Sequence, residues 1–441
     1  MKSDIVSVVG GGLAGCECAW QLARTGLEVH LHEMRPERPT PVHQGDRLGE
    51  LVCSNSLRSD DPIHPAGMLK REMDHAGSLI MAMARRWSVP AGSALATDRN
   101  RFSESITEAI TSHPRIQVIR GEVTEIPPGW AVIATGPLTS DQLHAVLCEK
   151  TGHPLYFYDA VSPVVTQESL DMERLFFGSR YGKGGDDYLN CPMDEEEYLC
   201  FYEALTAAEV VDIPDFERAI FFEGCLPIEE MARRGKDTLC YGPFKPVGFV
   251  DPRTGRRPHA LVQLRREDFD GTTFSLVGCQ TRMKHGSQRR VFRLIPGFEH
   301  AAFKRMGQMH RNTYIPAPAC LDSFLRLKDS PSLFFAGQIT GVEGYLESAA
   351  TGFLAGIYLS RLFQQKEIVP VPPDTAMGGL IRHLTLSDPE RFLPSNISFG
   401  LIEDGSRKYK RETSARAEKS FQAWWDPIGR ELHSDLQEIH K

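Results

Sequence analysis

The chain has 441 residues, enough for two or three domains with ample core, and its 41% apolar and 24% charged content is that of a globular protein. The formal charge of −8 argues against a surface given over to nucleic acid, but it leaves room for a local basic patch. No stretch approaches the ~18 unbroken apolar residues of a membrane span. A strand is expected directly after MKSD, which leaves no room for a signal peptide. The ten cysteines lack CxxC or His/Cys metal spacing. A cytoplasmic protein with reduced thiols, no metal site, no membrane association and no obligate protein partner is expected.

Val6 to Val9 reads as a buried strand, and it runs into Gly10-x-Gly12-x-x-Gly15. A helix from about Ala14 to Thr25 follows, Gly26 closes it, and a second strand from Glu28 to His32 ends on Glu33. Together these form a β-α-β dinucleotide fingerprint. Gly10 permits the tight turn, Gly12 lets backbone approach a pyrophosphate, and Gly15 lets helix pack on strand. Gly11, Leu13 and Ala14 complete the loop, whose helix N-terminus favours an anion. Glu33 stands where a carboxylate accepts the adenosine ribose hydroxyls.

The segment RPERPTPVHQGDRLGELVCSNSLRS is too rich in proline and polar residues for regular structure and reads as a functional loop carrying Cys53. Leu69 to Arg86 has a helical apolar face at Leu69, Met73, Ala76, Leu79, Ile80 and Met83, and its methionines read as core filler. Ala94 to Phe102 predicts a strand that leaves the pair Asp98 and Arg99 at the cofactor, before another amphipathic helix. Short strands follow at Ile116 to Ile119 and Trp130 to Thr135. The second ends in Ala134-Thr135-Gly136, a step by which flavoproteins bring backbone to the cofactor. Leu333 to Gly356 repeats the theme as strand, Gly-rich turn and helix. Gly337, Gln338, Gly341, Glu343 and Gly344 are assigned to the flavin site, whereas Gly352 and Gly356 read as helix-packing notches.

The two passages belong to one nucleotide site and so imply an inserted domain. Its charge is uneven. Asp186 to Glu203 holds seven acids and no base, whereas Arg282 to Arg311 holds eight Lys/Arg against the single acid Glu299. Arg253, Arg256, Arg257, Arg265 and Arg266 lie between them. Such density suits an RNA backbone, with Arg282, Lys284, His285, Arg289, Arg290 and Arg293 as contacts. His285, Phe292 and Phe298 could stack on splayed bases, although such aromatics more often form core. The basic C-terminal segment SRKYKRETSARAEKSFQAWW predicts an amphipathic helix whose Phe421, Trp424 and Trp425 pack inward. Cys225, in FEGCLPIEEMARRG, precedes a helix beginning near Ile228, whose dipole favours a thiolate.

The blocks GGGLAG, GELVCSNSLRS, VPAGSALATDR, FEGCLPIEEMARRG, YGPFKPVGF, SQRRVFRLIPG, MHRNTYI and GQITGVEGYLESAATG cover nearly the whole chain. They resemble the folate- and FAD-dependent tRNA (uracil-5-)-methyltransferases, the TrmFO family. The GidA/MnmG flavoproteins share the flavin fold but not this set. The resemblance implies an α/β fold: a Rossmann-like, glutathione-reductase/GidA-like FAD-binding domain in two parts, 1–155 and 319–441, with an inserted α+β substrate domain at 156–318. It implies 5-methyluridine formation at position 54 of the tRNA T-loop. Carbon would come from 5,10-methylenetetrahydrofolate, leaving tetrahydrofolate, and reduction from NAD(P)H through FAD. Cys225 matches the family's proposed uracil nucleophile and Cys53 its acid/base or methylene-handling thiol beside the flavin. A thiolate adding at uracil C6 would create the enolate that attacks the methylene carbon. Departures at Leu226, His285 and the Arg265-Arg266-Glu267-Asp268 run fall where RNA is expected. The same chemistry on 23S rRNA and a non-methylating RNA-binding flavoprotein of the GidA/MnmG type stay open as alternatives.

Overall fold

The computed structural model describes residues 5–152, 155–182, 185–212 and 226–439, with side chains to Leu432. Five parallel strands lie in the order Leu333–Phe335, Ala131–Ile133, Ile5–Val9, Glu28–Glu33, Ile116–Arg120. Val6 pairs with Val29 and Val8 with Leu31 and Val132. These strands are apolar almost throughout because helices cover both faces of a parallel sheet. Val6, Val8, Leu31, Ile133 and Phe334 are accordingly fully buried.

Helix Leu13–Arg24 follows the first strand and meets helix Tyr345–Phe363 at close range. A Cβ on Gly352 would stand 2.2 Å from the Ala14 carbonyl oxygen, and one on Gly356 3.0 Å from that of Cys18. Both glycines are helix-packing notches, as their spacing suggested.

The helix expected from Leu69 to Arg86 is two helices, Pro65–His75 and Leu79–Arg86. Gly77 turns the chain at φ +76°, and Ser78 caps the second helix by accepting from Met81 N. The buried Glu17 collects the amides of Leu79 and Ile80 and the Ser78 hydroxyl, at 3.3, 2.9 and 2.7 Å. Apolar periodicity runs through the break because both helices bury their apolar faces in one core. Met68, Met73 and Met81 fill that core.

A second, antiparallel sheet has the order Phe176–Phe177, Tyr188–Met193, Ala260–Arg266, Thr273–Leu276, Val164–Thr166, Phe303–Arg305. It has its own core, which includes Phe201, Leu264, Phe274 and Phe292. The acidic run opens helix Glu195–Thr206, where Asp194 and Glu197 form a reciprocal capping box. Acids there favour the positive end of the helix dipole. The two strands that join this unit to the parallel sheet, Leu155–Ala160 and Met309–Tyr314, pair with each other and set Asp159 opposite His310. The C-terminal helix Lys410–Ile439 returns to the first core. Phe421, Trp424 and Trp425 are buried there, with Trp425 5.1 Å from the Phe353 ring centre.

Candidate cofactor and catalytic site

A cleft of about 420 Å³ opens at the C-terminal ends of the parallel strands. Its first wall is the fingerprint loop. Gly10 sits at φ +111°, and a Cβ there would fall 2.4 Å from the Ala134 carbonyl oxygen. A Cβ on Gly15 would lie 1.8 Å from the Gly10 oxygen, so its role is helix-to-strand packing, and it does not line the cleft. Gly12 is different: nothing lies within 4 Å of its added Cβ, and the space belongs to the cleft. Gly12 and Gly344 are the N-caps of the two helices that meet here, and neither supplies a side-chain cap. Two helix N-termini without side-chain caps therefore border one cavity, an arrangement that favours a bound anion such as a pyrophosphate.

Glu33 is buried at the adjoining end. Its Oε2 accepts from Gly11 N at 3.0 Å and Arg35 Nη2 at 3.2 Å, and its Oε1 from Arg35 N and Nε at 2.9 and 3.0 Å. Burial alone would raise this carboxyl, but the hydrogen bonds and charge of Arg35, with the Gly11 amide, hold it below the usual range. Four donors occupy the four acceptor positions of the carboxylate. A ribose diol at Glu33 therefore has to displace Arg35, which also holds Glu50 at 3.1 Å.

The far wall carries the chemistry. Ala134, Thr135 and Gly136 line it from one strand end, and Gly337, Gln338, Glu343 and Gly344 from the other. Gln338 Nε2 donates to Glu343 Oε2 at 2.5 Å. Burial, then the nearby Asp159 carboxylate, pushes Glu343 well above the normal carboxylate range. Cys53 is half-buried in the same cleft, its thiol 3.8 Å from the Ala160 carbonyl oxygen. The Tyr345 hydroxyl accepts from the amides of Cys53 and Ser54 at 2.6 and 3.1 Å. Leu13 and Ala14 also line the cleft.

Other assignments fall elsewhere. Asp98 and Arg99 are not among the lining residues. Asp98 caps helix Arg99–Ser112 and accepts from Phe269 N at 2.9 Å, while Arg99 Nε pairs with Glu267 Oε2 at 2.7 Å. Gly341, at φ +95°, serves a backbone turn packed under Phe392. Cys225 lies outside the described residues. The helix after it, Ile228–Arg233, begins as expected, and Ile228 N donates at 2.7 Å to the carbonyl of Gln280, which lines the cleft.

In the second unit Lys284, His285, Arg289, Arg290 and Arg293 are exposed on or beside helix His285–Phe292. Arg282 is not a free cation: it pairs with Glu230 at 2.5 Å and donates to Val211 O at 2.8 Å. Phe292 and Phe298 are fully buried and cannot stack on RNA bases, because they face the core of the antiparallel sheet. Asp159, His310, His43 and Tyr345 also line the cleft without having been singled out, and Arg265, expected on an RNA surface, lines it too. His310 lies in the MHRNTYI block, and its cross-strand pairing with Asp159 explains the joint appearance of both.

Against known proteins, the family described as glucose inhibited division protein A matches residues 5–367. The methylenetetrahydrofolate–tRNA-(uracil-5-)-methyltransferase TrmFO of Geobacter sulfurreducens is 55% identical over 420 residues, 94% of this chain and 97% of its own length. The protein of the same name from Desulforamulus reducens is 52% identical over 432 residues, 96% of this chain and 98% of its own. The chain belongs to the TrmFO family. A solved structure of Aquifex aeolicus GidA superposes with a TM-score of 0.71 at 16% identity, covering 99% of this chain and 77% of that one, and it shares the fold. The α/β, Rossmann-like architecture that the resemblance implied is therefore the one found in GidA. Among the described residues no helix is long and apolar enough to cross a membrane.

Proposed function

We propose that this member of the TrmFO family forms 5-methyluridine at position 54 of the tRNA T-loop. Carbon comes from 5,10-methylenetetrahydrofolate and electrons from NAD(P)H. The observation that carries the reading is one cleft holding the dinucleotide fingerprint, the Cys53 thiol and the buried Glu343 carboxyl, whose ionisation burial and Asp159 disfavour. The relatives' shared name supports the substrate class.

The cleft fits FAD, because the open space over Gly12 and the uncapped N-termini after Gly12 and Gly344 offer room and donors for its phosphates. Bound there and reduced by NAD(P)H, FAD would supply the hydride that reduces the transferred one-carbon unit to methyl. The remaining steps belong to the chain. Cys225 adds its thiolate to uracil C6, C5 then takes the methylene carbon with tetrahydrofolate leaving, and loss of the C5 proton expels the thiolate. Gln338 engages Glu343 Oε2, which leaves Oε1 to carry the proton. Cys53, at the same wall, exchanges protons or handles the methylene carbon. RNA docks on residues 156–318, where Lys284, His285, Arg289, Arg290 and Arg293 present exposed basic groups.

The test is methyl transfer from folate labelled in its methylene carbon, with NADPH and unmodified tRNA or 23S rRNA transcript. Label in tRNA 5-methyluridine, absent in Cys225→Ala, is expected. Label only in rRNA changes the substrate, whereas no label in either, with FAD bound and reducible, refutes the methyltransferase reading and favours an RNA-binding flavoprotein without methylating activity.

A further inference from the structure

Residues 51–55, the turn that carries Cys53, have no regular structure of their own. Their polar groups are nevertheless held from four other parts of the chain. Arg305 Nη1 donates to Val52 O at 3.0 Å and its Nη2 to Cys53 O at 3.1 Å. Arg99 donates to Leu51 O. Arg265 Nε and Nη2 reach Asn55 Oδ1 at 2.8 Å and Ser54 Oγ at 3.1 Å. The Tyr345 hydroxyl takes the Cys53 and Ser54 amides.

This clamp is costly, which makes a role in the site the better explanation. Water would satisfy the carbonyls of a surface turn at no expense, whereas a buried guanidinium loses hydration. Burial, then repulsion from Arg99, pulls Arg305 down to about 10. One buried carboxylate, Glu267, faces the charges of Arg99, Arg305 and Arg265, and they hold it below the usual range despite its burial. Glu267 Oε1 and Arg305 Nε have no partner in the described structure. Excess positive charge is thus kept next to the turn that carries the thiol.

We propose that Arg305, with Arg99 and Arg265, is a positioning residue that fixes the Cys53 turn against the cleft. Through it, the antiparallel unit sets the place of a thiol that the parallel-sheet unit supplies. The inference rests on reading Cys53 as a working thiol of the site. Planar, forked donors explain the choice of arginine, since one side chain spans two successive carbonyls.

The test compares Arg305→Met and Arg305→Lys with wild type in the full-length, FAD-loaded protein. Hydrogen exchange of the Cys53 and Ser54 amides, bound-flavin absorbance, and kcat and KM for tRNA transcript are measured together. In Arg305→Met, exchange at residues 51–55 is expected to rise about tenfold or more, the loss of two charge-assisted bonds. FAD content should hold, kcat fall at least about tenfold, and KM for RNA change less than about threefold; Arg305→Lys should recover part of both losses, keeping charge and one bond. Unchanged exchange overturns the proposal, as does a rise in KM without loss of kcat, which makes Arg305 an RNA contact. If Arg305→Met does not fold, Arg265→Gln stands in for it under the same criteria. Faster exchange with wild-type kcat also overturns it. An active Cys53→Ala then shows that the reading of Cys53 failed, whereas an inactive one shows that only the clamp did.

Discussion

Replacing Gly352 with alanine forces a methyl group against the fingerprint helix. Its Cβ would sit 2.2 Å from Ala14 O and 2.8 Å from the Ala14 carbonyl carbon and Cα. Ordinary contact begins about 1 Å further out, and both neighbours are backbone, so helices Leu13–Arg24 and Tyr345–Phe363 have to separate. Overpacking of this kind costs about 2–3 kcal/mol, and alanine returns about 1 kcal/mol of helix propensity, leaving a net loss of about 1–2 kcal/mol. Gly356→Ala is the internal control. Its Cβ meets Cys18 O at 3.0 Å and Gln21 Cβ at 3.1 Å, so a shift of a few tenths of an ångström relieves it. There the propensity gain of about 1 kcal/mol balances or exceeds the strain. Urea denaturation of the two variants measures the difference, and FAD retained through gel filtration reports whether the N-termini facing the cleft have moved apart. Gly352→Ala should lose both stability and flavin, and Gly356→Ala neither. Equal behaviour of the two, or a worse result for Gly356→Ala, would refute the argument from close approach.

The His43 imidazole is pushed down to about 3, first by burial and then by Arg35. The unfolded chain protonates it near pH 6.5, so between those values the unfolded state binds more protons and stability falls as pH falls. On lowering the pH from about 7 to about 5, wild type should lose about 2 kcal/mol more than His43→Gln in urea titrations; parallel losses would show that His43 is not the group responsible. The exposed pair Arg289→Gln/Arg290→Gln should weaken RNA binding across sequences and lower the log–log salt slope by about 2, whereas Arg282→Gln should lower stability and leave the slope unchanged. Identical slopes in filter-binding assays for the double variant and wild type would remove that helix from the interface.

The β-α-β fingerprint was legible because every requirement in it is local. Gly10 needs its positive φ, Gly12 its open space and Gly15 its approach to Gly10, all within a few residues. The notches at Gly352 and Gly356 were legible for the same reason, as small residues at helical spacing. Charge alone could not rank the arginines: Arg282 and Arg289 look alike in sequence, yet one is tied to Glu230 and the other is exposed. Helix register and neighbouring segments decide that. The break at Gly77 was hidden because two helices sharing one core continue the same apolar period.

By itself the sequence determined the nucleotide fold, the cofactor class, the family blocks and the thiol on the Cys53 loop, since these rest on short-range stereochemistry and contiguous motifs. Only the tertiary structure decided how that thiol is held and what surrounds it. Arg99, Arg265, Arg305 and Tyr345 come from distant stretches and reach backbone groups of residues 51–54 or the side chains of Ser54 and Asn55. Asp159 and His310 reach the cleft as cross-strand partners. Contacts from a side chain to a remote backbone leave no periodicity in the chain, because any turn offers the same carbonyls and amides. They come into being only when the two sheets are brought together around the cleft.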